Sequence, residues 1–149
     1  MRTRNVTRRK SRKSRKTVKR EKIQHAGNTP FSISYAGNPV QGQFLTILQT
    51  AKKPSVQIPA GFYLVLYDPD APAKDWIHWI ATSTQDIVPY EGPNPPKGTG
   101  THRYIFALVA GNPPPPPNQR GNQNAAKLAP PNKRIASAVF LVSAENPAN

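Results

Sequence analysis

Residues 68–79 read DPDAPAKDWIHW. Two carboxylates, Asp68 and Asp70, alternate with prolines, and His78 follows between Trp76 and Trp79. Carboxylates beside an imidazole suit acid–base work, anion or ammonium recognition, or metal ligation. Proline fixes φ, removes a backbone donor and restricts the residue before it. The stretch therefore cannot continue a sheet ladder and must hold one shape, which a cis X-Pro bond would sharpen further. A second stretch, GPNPPKGTGTHRY (92–104), repeats the design: a Pro/Gly loop with His102 at its mouth. Alternation along a strand puts His102 and Tyr104 on one face. There is no cysteine and no close-spaced ligand pair such as HxxxH, so no metal site is expected. No serine or threonine is marked as an activated nucleophile, so a non-enzymatic protein is expected.

These groups need strands to position them. FSISY (31–35) alternates apolar and polar residues and predicts a strand, and QFLTILQ (43–49) predicts a second. FYLVLY (62–67) is apolar on both faces, which predicts an interior strand ending at Asp68. WIHWIAT (76–82) predicts a strand with Trp76, His78 and Ile80 on one face and Ile77 and Trp79 on the other. RYIFALVA (103–110) reads as another interior strand. If it neighbours WIHWIAT, the two histidines converge with the two aspartates. IASAVFLVS (135–143) favours a strand through Val139, Phe140 and Val142, and QNAAKLA has room for a turn or two of helix. The Pro-rich polar segment 111–133 holds five consecutive prolines, which form polyproline II; a rigid spacer is the expectation, an SH3-type ligand the alternative. Short strands with turn signals between them predict a small all-β sandwich or barrel-like sheet pair over residues 29–149.

FYLVLYDPDAP, WIHW and GPNPPKGTGTHRYIFAL, in that order, resemble the phosphatidylethanolamine-binding protein (PEBP) family. The upstream ISYAGNPVQGQFLTILQTAKKPSV looks like the family's early strands, and the resemblance runs over about residues 30–110. It implies an antiparallel β-sandwich with a small anion pocket at one end, binding phosphate or a phosphorylated headgroup such as phosphoethanolamine. The positions matching that pocket are Asp68, Asp70, His78, Gly92, His102 and Tyr104. Histidines donate to phosphate oxygens, whereas a carboxylate repels bare phosphate unless it is protonated or shares a proton. The segments flanking WIHWIAT are short for the family, as in compact members; Asn94 stands where some relatives carry glycine, and the likeness fades after Ala110.

The net charge of +14 is concentrated at the N-terminus. Residues 1–22 hold twelve of the 21 Lys/Arg and one of the seven acids, a surplus of eleven. The remaining nine Lys/Arg face six acids. Too apolar-poor to fold alone, residues 1–28 are expected to form a disordered basic arm. Its cluster Arg8, Arg9, Lys10, Arg12, Lys13, Arg15, Lys16, Lys19 and Arg20 suits nucleic acid or another polyanion, read by charge because no aromatic is present to stack on bases. Phosphorylation of Ser11, Ser14 or Thr17 would remove part of that charge. No apolar run has membrane-spanning length and no secretory signal is evident, so an intracellular protein is expected, with nuclear import as one use of the basic run. The function expected is a non-enzymatic PEBP-like module binding a phosphate-bearing ligand, with a cationic arm and no cofactor. The alternative is a structural subunit of a virion or ribonucleoprotein that reuses the fold without a ligand, packed against neighbouring subunits.

Overall fold

The structure, a computed structural model, describes residues 31–149; the basic arm of residues 1–28 lies outside the described residues. Eight strands are present among the described residues: β1 (Ile33–Tyr35), β2 (Asn38–Pro39), β3 (Ser55–Val56), β4 (Phe62–Asp68), β5 (Trp76–Ala81), β6 (Asp86–Val88), β7 (Thr101–Ala110) and β8 (Arg134–Ser143). They pair antiparallel into a three-stranded sheet, β2-β1-β3, and a five-stranded sheet, β6-β5-β4-β7-β8. The one α-helix among the described residues is α1 (Ala125–Leu128), so the fold is all-β as expected. No described helix is long and apolar enough to cross a membrane.

The unbroken apolar run of β4 reflects its place as central strand, covered on both faces. Leu64 and Leu66 pack with Trp79, Tyr104, Phe106 and Phe140 against Ile33 and Tyr35 of the small sheet. On the opposite face Tyr63, Val65 and Tyr67 pack with Ile77, Ile80, Ala107 and Val109, under Ala125 and Ala129. β8 carries Ala138, Phe140 and Val142 into the first cluster at period 2, so the segment ambiguous in sequence is a strand.

Three local expectations are corrected. Residues 43–49 are not a strand. Gln43 and Leu45 exchange backbone hydrogen bonds with Leu141, forming an isolated bridge from Phe44 to β8. The chain then turns, because Thr46 and Gln49 bond each other's backbone N–H reciprocally, the T-x-x-Q capping box. Second, β5 does not alternate cleanly. Leu66 pairs with Trp79 and Tyr67 with Ile77, leaving His78 as the extra residue of a bulge. Ile77 and Ile80 therefore share one cluster, while Trp79 joins the other. Third, β7 does not neighbour β5; β4 runs between them, so Asp68 stands between the strands bearing the two histidines.

Two latches fix the loops around the end of β4. Tyr35 donates to Tyr90 and Tyr90 to the Thr50 carbonyl (2.7 and 2.6 Å), tying the segment after β6 to the small sheet. Arg120 pins the Pro-rich loop: its guanidinium bonds the carbonyls of Ile77, His78 and Pro89 and the Glu91 carboxylate. Gly121 follows it because a Cβ there would lie 2.8 Å from the Ala73 Cβ and 3.0 Å from the Trp76 ring. Arg120→Ala is expected to destabilise by about 3 kcal/mol, since several buried or half-buried acceptors lose a charged donor. Arg120→Lys is expected to recover little of it, because an ammonium cannot span that fork. Urea unfolding of the two variants checks both.

Candidate functional site

Asp68 ends β4 and is buried, so each oxygen needs a partner. Oδ1 accepts the Asp70 backbone N–H (2.8 Å), an Asx-turn that bends the chain out of the sheet. No described peptide bond is cis, so this turn and the prolines make the corner. Oδ2 lies 2.7 Å from Nδ1 of His102, which is 1% exposed. His102 Nε2 lies 2.7 Å from the Thr99 hydroxyl, and that hydroxyl donates to the Pro96 carbonyl at 2.6 Å. Thr99 has one hydrogen, and so short an O···O contact places it toward Pro96. The Thr99 oxygen must then accept Nε2–H from His102, and one proton lies between Nδ1 and Asp68. The Asp68–His102 pair is therefore neutral as a unit, whichever atom holds that proton.

Asp70 faces the other way. Strand alternation sends Arg103 outward, where it forks onto both Asp70 oxygens at 2.9 Å. The Arg103 guanidinium holds the Asp70 carboxyl below its usual range. Asp70 thus shapes the corner and does not line the cavity beside it, and neither does His102, which lies behind Asp68.

That cavity, about 310 Å3, is lined by Asp68, His78, Gly92 and Tyr104 among the sequence-predicted residues. Trp76, Glu91, Asn94 and the prolines of both loops complete the wall. A larger groove of about 810 Å3 runs beside β3 and the β5–β6 hairpin, but it is more open, and its charged groups, Lys53 and Asp86, pair with each other. The smaller cavity, where fixed polar groups converge, is the better candidate for a binding site.

His78 is aimed into the cavity by the β5 bulge and held by Glu91. Its Nδ1 lies 2.8 Å from the Glu91 carbonyl, while Glu91 N–H donates to the His78 carbonyl (2.8 Å). A carbonyl only accepts, so Nδ1 carries hydrogen. Nε2 bonds no described residue, and no buried side-chain nitrogen or oxygen among the described residues lacks a partner; Nε2 therefore opens on the cavity. Burial pushes the imidazole below its ordinary value of 6.5. Burial, then the nearby Asp68 carboxyl, pushes the Tyr104 phenol up, so it keeps its proton. The Tyr104 ring contacts His78 edge-on (5.2 Å) and stacks on Phe140 (5.4 Å). Gly92 is required by contact: a Cβ would sit 2.8 Å from the Thr50 carbonyl oxygen.

Sequence reasoning missed Thr99, Glu91 and Arg120. Thr99 had a signal, three residues before His102 across a glycine. Arg120 had none, being one cation in a polar loop far along the chain.

The two aspartates should separate sharply. Asp68→Ala is expected to cost about 3–5 kcal/mol, because it breaks a buried pair, whereas the exposed Asp70–Arg103 bridge is expected to contribute about 1 kcal/mol or less. Chemical denaturation of each variant measures this. His78 adds a pH dependence. Its folded value is depressed, so the unfolded chain takes the proton first as pH falls. The contribution is complete above about 6.5 and is lost as pH drops through the folded value. Unfolding free energy should fall more between pH 7.5 and 5 in the native protein than in His78→Gln.

A model of the family described as phosphatidylethanolamine-binding protein matches residues 80–140, continuing well past Ala110, where the motif resemblance faded. UPF0098 proteins of Mycobacterium tuberculosis and Mycobacterium bovis are 42% identical over 72 residues, covering 34% of this chain. The match spans about a third (36%) of the length of those relatives. Among solved structures, the phosphatidylethanolamine-binding protein from Plasmodium vivax superposes with a TM-score of 0.58 at 23% identity, covering 84% of this chain and 94% of that one. A carboxypeptidase Y inhibitor, solved with its cognate proteinase, superposes with a TM-score of 0.61 at 22% identity, covering 76% and 82%. At these identities the two share the fold. The ordered motifs, the family model over residues 80–140 and the shared fold agree, and the chain is similar to the phosphatidylethanolamine-binding protein family.

Proposed function

We propose that the protein is a non-enzymatic binding module whose cavity takes a phosphate-bearing small molecule or phospholipid headgroup, and whose basic arm attaches it to a polyanion. The observation that carries the first part is the cavity itself, with a fixed imidazole, a phenol and a proton-sharing carboxyl in one apolar-walled recess. An ammonium-bearing headgroup has natural partners in Glu91 and the Trp76 face. Binding without turnover is supported by the direction of the Thr99 hydrogen. Thr99–His102–Asp68 has the spacing of a nucleophile triad, but the hydroxyl donates to Pro96 instead of to the imidazole, so no base activates it. The second part rests on the charge of residues 1–22.

Phosphate or phosphoethanolamine should raise the melting temperature of the full chain; at a hundredfold excess over Kd the gain is about 2.7 kcal/mol. His78→Ala should abolish the shift; Asp68→Ala would confound the test by loosening the fold. An unchanged melting temperature sinks the binding reading and leaves the scaffold alternative. Affinity for DNA or RNA should fall steeply with salt, by a log–log slope of about 0.9 per phosphate neutralised, and deletion of residues 2–22 should remove it.

A further inference from the structure

Resting on the phosphate reading above, we infer that the cavity binds its ligand in a singly protonated complex: one proton is shared between a phosphate oxygen and Nε2 of His78, so a dianionic ligand enters together with a proton.

Three observations lead there. The Glu91 carbonyl fixes hydrogen on Nδ1, so neutral His78 presents a lone pair at Nε2. A fully deprotonated phosphate presents only lone pairs. Acceptor would meet acceptor unless a proton lies between them. Second, no lysine or arginine among the described residues lines the cavity. The charged groups facing His78 cancel: Asp68 from β4 shares its proton with His102 of β7, and Glu91 is paired with Arg120 of the Pro-rich loop at 2.9 Å. Tyr104, also facing His78 from β7, is a neutral phenol. A dianion would be desolvated into a recess of no net charge, which is costly. A monoanion carrying one P–OH fits the same recess, donating to Nε2. Third, both oxygens of Asp68 are already engaged, since Oδ1 accepts the Asp70 N–H and Oδ2 shares its proton with His102.

The balance is simple. A phosphomonoester has a second pKa of about 6. Above that pH the complex forms from the dianion, neutral His78 and one solvent proton. Below it the ester brings the proton itself. Sulfate, with no proton to bring, always requires one on His78.

Calorimetric titration of the full chain with methyl phosphate, at pH 7.5 in two buffers of different ionisation heat, counts the protons directly. The expected result is uptake of about one proton per ligand, with affinity falling up to about tenfold per pH unit from 6 to 8. Below pH 6 methyl phosphate affinity should level off while sulfate affinity continues to rise. Methyl phosphate binding that is flat with pH and takes up no proton overturns the inference and leaves the binding reading standing. No binding of either anion at any pH overturns the binding reading itself. In His78→Gln, whose side-chain amide already donates, proton uptake should vanish; its persistence places the proton elsewhere and also overturns the inference.

Discussion

A buried carboxylate at the end of the central strand is the constraint on which this structure depends. Asp68 terminates β4 with β5 on one side and β7 on the other. An unpaired charge there would be prohibitive, so the fold supplies a turn N–H on one oxygen and an imidazole on the other. The Pro/Gly loop 92–100 is drawn in by the same requirement, because Thr99 and the Pro96 carbonyl complete the chain behind His102. The outcome is a rigid corner in which the central acid and its imidazole partner form a unit of no net charge. A residue type that by itself would repel phosphate is thereby compatible with an anion site.

The opposite wall is built from distant pieces of chain by the same logic of satisfying polar groups. A bulge in β5 turns His78 toward the cavity, and Glu91 holds it through backbone and ring together. Glu91 itself is held by Arg120 and reached by the Trp76 indole. The loop bearing five prolines is therefore part of the site's construction: stiff over 113–117, it delivers Arg120 to three carbonyls that nothing nearer in sequence bonds with a charged donor. The small sheet contributes through the tyrosine latch, which seats Gly92 against Thr50 at van der Waals limits.

Much of this was legible beforehand, for identifiable reasons. Period-2 patterning and an unbroken apolar run are local consequences of which faces are buried, so β1, β4 and β7 could be read directly, and β8 was favoured only through Val139, Phe140 and Val142. The Asp-Pro-Asp-Ala-Pro corner could be read because proline acts on its own backbone. The strand proposed for 43–49 failed because apolar alternation there competes with a capping box, and the box won after Leu45. The faces of β5 failed because a bulge inserts one residue into the count, and a bulge is set by pairing with β4, which leaves no mark on period.

By itself the sequence determined the all-β class, the family motifs, the two stiff loops and the set of groups available to a site. All of these follow from backbone restriction and burial pattern, which act over a few residues. Tertiary structure alone decided which of those groups do what. Asp68 and Asp70 are two residues apart and chemically identical, yet one is buried against His102 and the other forks onto Arg103 at the surface. His78 and His102 looked equivalent, yet one opens on the cavity and the other is sealed behind it. The reason is that a titratable group's role depends on its hydrogen-bond partners and its access to solvent, and the partners that set these roles apart come from residues 13 to 34 positions away, brought together only when the sheet forms.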